Sequence, residues 1–236
     1  MNPIKNHRGF TLVEVLFALV TGLVVMGAVY MAMITGQRSS VGIEQRVAAA
    51  QDVRASLEVM SMEIGMASFN PNFVPGVWLE TGACANPSAN QGFRGVQVAT
   101  ANAITVEMDI NENGVVGDPN EVIAYVYDIP NQRITRSTNC GGAQPFLGET
   151  VGTQGRSVRV LNGDPAINIP VFRYFDGQGA DITANITAGL PGAVQNIRRV
   201  EIALVVETEN ADPATQQRRR LVYTNGVILR NHAFAG

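Results

Sequence analysis

Hydrophobic positions fall into three regimes along this chain. Across residues 10–34 they are nearly continuous, with Glu14 the only carboxylate and no basic residue. As a helix rising 1.5 Å per residue, this run extends roughly 37 Å, enough to cross a hydrocarbon core of about 30 Å. In the second regime, Val41, Val47, Ala50, Val53, Leu57, Met60 and Ile64 recur at mostly three- and four-residue intervals. Gln37, Arg38, Glu44, Gln45, Arg46, Asp52, Arg54 and Glu58 turn to the opposite face. That is the pattern of an amphipathic helix. No proline occurs between these residues and Pro71, so one helix is predicted from about Thr11 to Ala67. Gly36 and Gly42 weaken it by up to ~1 kcal/mol each relative to Ala, and its apolar stripe needs a surface to bury against, most simply a sheet of the same chain. Asn70, preceding Pro71, is driven out of the α region and marks the helix as finished.

The third regime alternates. Short runs at 95–98 and 103–108 are followed by 122–127 and 133–136, which flank Pro130-Asn131 and read as a hairpin. Further runs lie at 170–175, 200–207 and 220–229. In the run at 200–207, Val200, Ile202, Leu204 and Val206 share one face while Glu201 and Glu207 share the other, as in a half-buried strand. An antiparallel sheet follows, and the fold class is α+β: a long N-terminal helix packed on an antiparallel β-sheet head.

Length and composition fit one tethered domain. Of the 236 residues, roughly 170 lie beyond the helix, an ordinary size for a single core. Charged residues make up only 16% and glycine is abundant at 24, so the head is expected to be loop-rich. Neither repeats nor low-complexity tracts occur. Nothing in a net charge of −3 suggests a polyanion binder, and nucleic acid is not an expected partner. Arg198-Arg199 and Arg218-Arg219-Arg220 are expected to face each other near paired strands. Glu201, Glu207, Glu209 and Asp212 surround them, which favours a solvated hairpin over a basic patch. Trp78 reads as a core plug. No nucleophile, base and orienting group cluster along the sequence, so no enzymatic activity and no required cofactor are expected.

The first nine residues carry Lys5, His7 and Arg8 and no acid. Basic flanks stay in the cytoplasm, which places the bulk of the chain across the membrane. A secretory signal would have an apolar core of roughly 7–15 residues closed by a small-x-small site. Here the cut is expected before the apolar run, so the membrane helix is kept. Cys84 and Cys140, the only cysteines, then lie outside the cytoplasm, where disulfides persist. Their bridge would restrict the unfolded chain by roughly 4 kcal/mol. A thiol ligand or nucleophile would need further groups that the head, with only His232, does not offer.

Glu14 is costly at its depth, on the order of 2.5–3.5 kcal/mol on insertion scales, and needs a partner. The run Lys5-x-x-Arg8-Gly9-Phe10-Thr11-Leu12-Val13-Glu14 closely resembles the type III signal of type IV pilins and type II secretion pseudopilins. The resemblance implies cleavage by a prepilin peptidase after Gly9 and N-methylation of Phe10. It also implies pairing of the Glu14 carboxylate with the free amine of Phe10 in a neighbouring subunit. Residues 1–9 would then be a cleaved leader, 10–34 a transmembrane and 35–67 an amphipathic helical half, and 68–236 the head. The implied partners are other pilins, through the N-terminal helix, and the inner-membrane assembly machinery. The implied location is the inner membrane, single-pass with a periplasmic head, and then the pilus at the cell surface. The segment 65–71 and the closing Val227-Ile228-Leu229-Arg230-Asn231 are similar to PilW-type minor pilins and their J-type pseudopilin counterparts. Three functions follow as expectations: a minor pilin near the fibre tip, a J-type pseudopilin, or a tip subunit binding DNA or surfaces.

One polar constellation remains. Asp109, Asn111 and Asn113 alternate before Gly114, followed by Val115, Asp118 and Glu121. Oxygens at such positions, with the Val115 carbonyl, can wrap a calcium ion. Asn120 stands where an EF-hand places its bidentate glutamate, so a helix-loop-helix site is not supported. A calcium-binding hairpin loop and an ion-free polar turn both fit.

Overall fold

The computed structural model describes residues 9–89, 91–149, 155–186 and 191–233; residues 1–8 of the expected leader lie outside them. Helix α1 (Leu12–Gly65) is continuous for 54 residues, about 80 Å. Its end comes slightly before the expected Ala67. Met66 caps it, Ala67 closes a tighter turn onto the Ile64 carbonyl, and Ser68 turns left-handed at φ 66°.

Two antiparallel sheets form the head where the strand pattern suggested one. The first runs in sequence order: β1 (Val96–Ala99), β2 (Ala103–Glu107), β3 (Val122–Asp128), β4 (Arg133–Thr138) and β5 (Gln144–Leu147). The second contains β6 (Val158–Val160), β7 (Phe172–Phe175), β8 (Arg199–Thr208) and β9 (Arg220–Ile228). Strand β8 is its spine. It pairs with β9 along 199–207 on one side, and on the other with β6 at 206–208 and β7 at 199–202.

The outer half of α1 touches nothing in the head, and its apolar side chains are exposed all round. The inner half buries Ala49, Val53, Leu57, Met60 and Ile64 against β8, β9 and β5. The expected stripe is therefore too long. Val41 and Val47 remain 42% and 49% exposed because the sheet ends before reaching them. Gly42 also has a packing role: a Cβ there would meet the Asp212 carboxylate at 2.9 Å, so glycine lets the loop after β8 lie this close. A polar seam joins α1 to both sheets. Arg136 grips Glu63 through two hydrogen bonds of 2.9 and 2.6 Å, Tyr125 donates its hydroxyl to the same carboxylate, and Asn225 donates to Ser61 at 2.7 Å.

The last residue of β2 is a fully buried acid, Glu107. Its carboxylate accepts from the Leu79 backbone N–H and the Gln97 side-chain amide, and desolvation raises its pKa from 4.5 to about 7. The native state therefore holds a proton between pH 4.5 and 7 that the unfolded chain has lost. Stability from this group is full below pH 4.5 and is lost as pH rises toward 7, by about 3 kcal/mol in all. His232, whose pKa is lowered mainly by burial, pushes the opposite way, so the contrast must be taken against a single variant. In urea unfolding, Glu107→Gln is expected to match wild type at pH 4 and to exceed it by about 1–3 kcal/mol at pH 8.

Candidate processing and assembly site

The first turn of α1 carries the candidate site. Thr11 is extended, with φ −77° and ψ 151°, and its hydroxyl oxygen accepts from the Glu14 backbone N–H at 3.3 Å. The Glu14 carboxylate reaches back to the Thr11 backbone N–H and hydroxyl, both at 2.9 Å. This reciprocal capping box satisfies donors that a helix start leaves open, and an acid there suits the positive end of the helix dipole. Thr11 is the functional residue that sequence reasoning passed over; the Thr-x-x-Glu spacing was its signal.

Gly9 and Phe10 precede the cap in non-helical backbone and are exposed, with Phe10 at 86%. The peptide bond between them is accessible to a peptidase. Cleavage there would leave the new amine of Phe10 one residue from the Thr11 cap, close to the acid that a neighbour's amine would meet. The rest of the outer helix is suited to lipid: Thr21 and Thr35 return their hydroxyls to the carbonyls of Phe17 and Met31 at 2.8 and 2.9 Å. Ala18 and Gly22, four residues apart, lie on the same side as Glu14. Small residues at that spacing let a second helix approach closely.

The two cysteines meet. Cys84 and Cys140 form a disulfide with a Cα–Cα distance of 5.9 Å, tying the loop after α1 to the end of β4. Trp78 packs into the core, 8% exposed.

The Asp/Asn loop gathers all six of its expected residues between β2 and β3, and it is closed by its own bonds. Asp109 accepts from the backbone N–H groups of Asn113 and Gly114, and Glu121 from those of Ile110, Gly117 and Asp118. Asn111 Oδ1 accepts from the Asn113 N–H, and Asn113 Oδ1 from the Val115 N–H. The two Asn amides donate to Asp118 at 2.9 and 2.7 Å. Among the described residues, no three carboxylate, His or Cys side chains converge as metal ligands.

The arginine runs do not face each other. The register places Arg199 opposite Ile228 and Arg220 opposite Glu207, eight residues apart on β8, about 27 Å. Arg199 stacks over Phe175 at 3.8 Å and Arg219 pairs with Asp212 at 3.7 Å. Folding does unite Ser68 and His232, 164 residues apart, with Oγ 2.7 Å from Nδ1. His232 Nε2 bonds to the Val194 carbonyl at 2.9 Å, so the buried imidazole fastens the chain's closing turn to the end of α1.

Residues 4–30 match the prokaryotic N-terminal methylation motif. No curated protein and no solved structure matches the chain. The motif, leading into a long helix packed on antiparallel sheets, supports a type IV pilin-like protein, a class comprising the subunits of type IV pili and of type II secretion pseudopili. It implies processing by prepilin peptidase and assembly with other pilins, and the exposed apolar helix is consistent with anchoring in the inner membrane beforehand.

Proposed function

We propose that this chain is a minor pilin of a type IV pilus, a low-abundance subunit that helps to initiate assembly and stays near the fibre tip. The observation that carries the reading is Glu14, the one carboxylate on the otherwise uncharged, exposed outer segment of α1 up to Met33, placed inside the matched methylation motif. A carboxylate in hydrocarbon is tolerated when a cation neutralises it, and the amine of a neighbour's Phe10 is the nearest chemically suited group in a bundle of such helices. Ala18 and Gly22 beside it favour the close helix approach that such pairing requires. The head, with two sheets and about 170 residues, is large for the repeating subunit of a thin fibre and suits a rarer position. Similarity of the segments 65–71 and 227–231 to PilW-type proteins points the same way.

A J-type pseudopilin of a type II secretion system is the second reading, favoured by the same turn at the end of α1. In-frame deletion in the parent organism separates the two. Loss of surface pili and twitching with normal exoprotein secretion is expected. Lost secretion with normal piliation would transfer the chain to the secretion system.

A further inference from the structure

A half-open cavity of about 570 Å³ lies where the end of α1 meets the head, lined by Phe69, Phe73, Val74, Trp78, Arg94 and their neighbours. Its walls are mainly apolar. Phe73 stands at the rim 79% exposed, in a left-handed backbone conformation at φ 50° that a bulky side chain rarely adopts. Strain of this kind concentrates at ligand clamps.

The polar groups around the cavity are mostly spent. Asn70 binds the backbone of Val74 through both its amide nitrogen and its oxygen, and Gln91 is held by Trp78 and Ser88. Arg94 is the exception. Its carbonyl accepts from Ser68, but its guanidinium has no hydrogen-bond or ion-pair partner among the described residues, although acids elsewhere in the head are paired with arginines. One free cation amid aromatic and aliphatic walls selects one anionic group attached to apolar surface. A sugar, which needs several hydrogen-bonding partners, finds too few.

We infer that this cavity is a docking site for a peptide segment of another protein that presents a carboxylate beside an apolar side chain, with Arg94 as the fork that pairs the acid and Phe73 as the clamp over its neighbour. A guanidinium can pair a carboxylate through two parallel N–H bonds, and partial enclosure by apolar walls strengthens such a pair. The inference does not depend on the fibre reading, because it concerns the isolated chain.

Trp78 is the single tryptophan of the chain and lines the cavity, so its fluorescence reports occupancy directly. The full chain in detergent is titrated with acetyl-Phe-Glu-Phe-amide and with its isosteric control, acetyl-Phe-Gln-Phe-amide. A saturable change in Trp78 emission is expected, with the glutamine peptide at least about fivefold weaker. Arg94→Gln should erase that preference and Arg94→Lys retain part of it. Phe73→Ser, at an exposed rim position that folding does not need, should weaken both peptides. Equal affinity for the two peptides, no saturable change with either, or an unchanged preference in Arg94→Gln would overturn the proposal. Tighter saturation by sodium glucuronate would also overturn it, by making an acidic sugar the occupant.

Discussion

Glu14→Ala is expected to insert into the membrane as well as wild type, or better, while its incorporation into pili or into the initiating complex falls at least about tenfold. Removing a carboxylate from a lipid-facing position relieves an insertion cost of about 2.5–3.5 kcal/mol. On the proposed pairing, the same change would leave a neighbour's Phe10 amine buried without its counter-charge, a loss of about 3–5 kcal/mol for a desolvated pair. The capping box adds a smaller effect, since losing the Thr11–Glu14 reciprocity costs about 1 kcal/mol of helix start. Glu14→Gln separates the contributions: it can still accept from Thr11 but carries no charge. Quantifying both variants in membranes and in sheared pili checks this. Full incorporation of Glu14→Gln would assign the residue to capping alone.

Loss of the disulfide has the other large consequence. Replacing Cys84 and Cys140 by serine opens a loop with a sequence separation of 56, restoring unfolded-state freedom worth roughly 4 kcal/mol in the entropy model. For a head of this size, that lowers the melting temperature by about 8–16 °C. Calorimetry of the full chain in detergent, with and without reductant, is the check. The reduced wild type should melt with the double-serine variant.

How much of this was legible in the sequence follows from which interactions are local. Helix α1 could be read because its cues repeat every three or four residues and no proline intervenes. Strand β8 could be read because Val200, Ile202, Leu204 and Val206 fall on one face with Glu201 and Glu207 on the other, even though Ala203 and Val205 of that second face are buried too. Strand β5 could not, because Pro145 weakens a strand pattern and is tolerated here only at the sheet edge. Strand β6 has three residues, too few for a period to show. The disulfide was legible because the chain's two cysteines allow a single pairing. Ser68 and His232 left no local signal, since only the return of the chain's end to α1 brings them together. The arginine runs were misplaced because an antiparallel hairpin pairs the start of β8 with the end of β9, which sends runs at the starts of the two strands to opposite ends of the pair. At the candidate site Gly9, Phe10 and Glu14 were legible as a motif, whereas the Thr11 cap emerged only with the geometry of the first turn.

The central claim is that the membrane helix begins a processed, pilin-like subunit. Mass spectrometry of the N-terminal peptide from membrane fractions tests it most directly. The account predicts a mature chain starting at N-methylated Phe10, with residues 1–9 absent and the apolar helix retained. An intact N-terminus, or a first residue beyond Ile34, would contradict it.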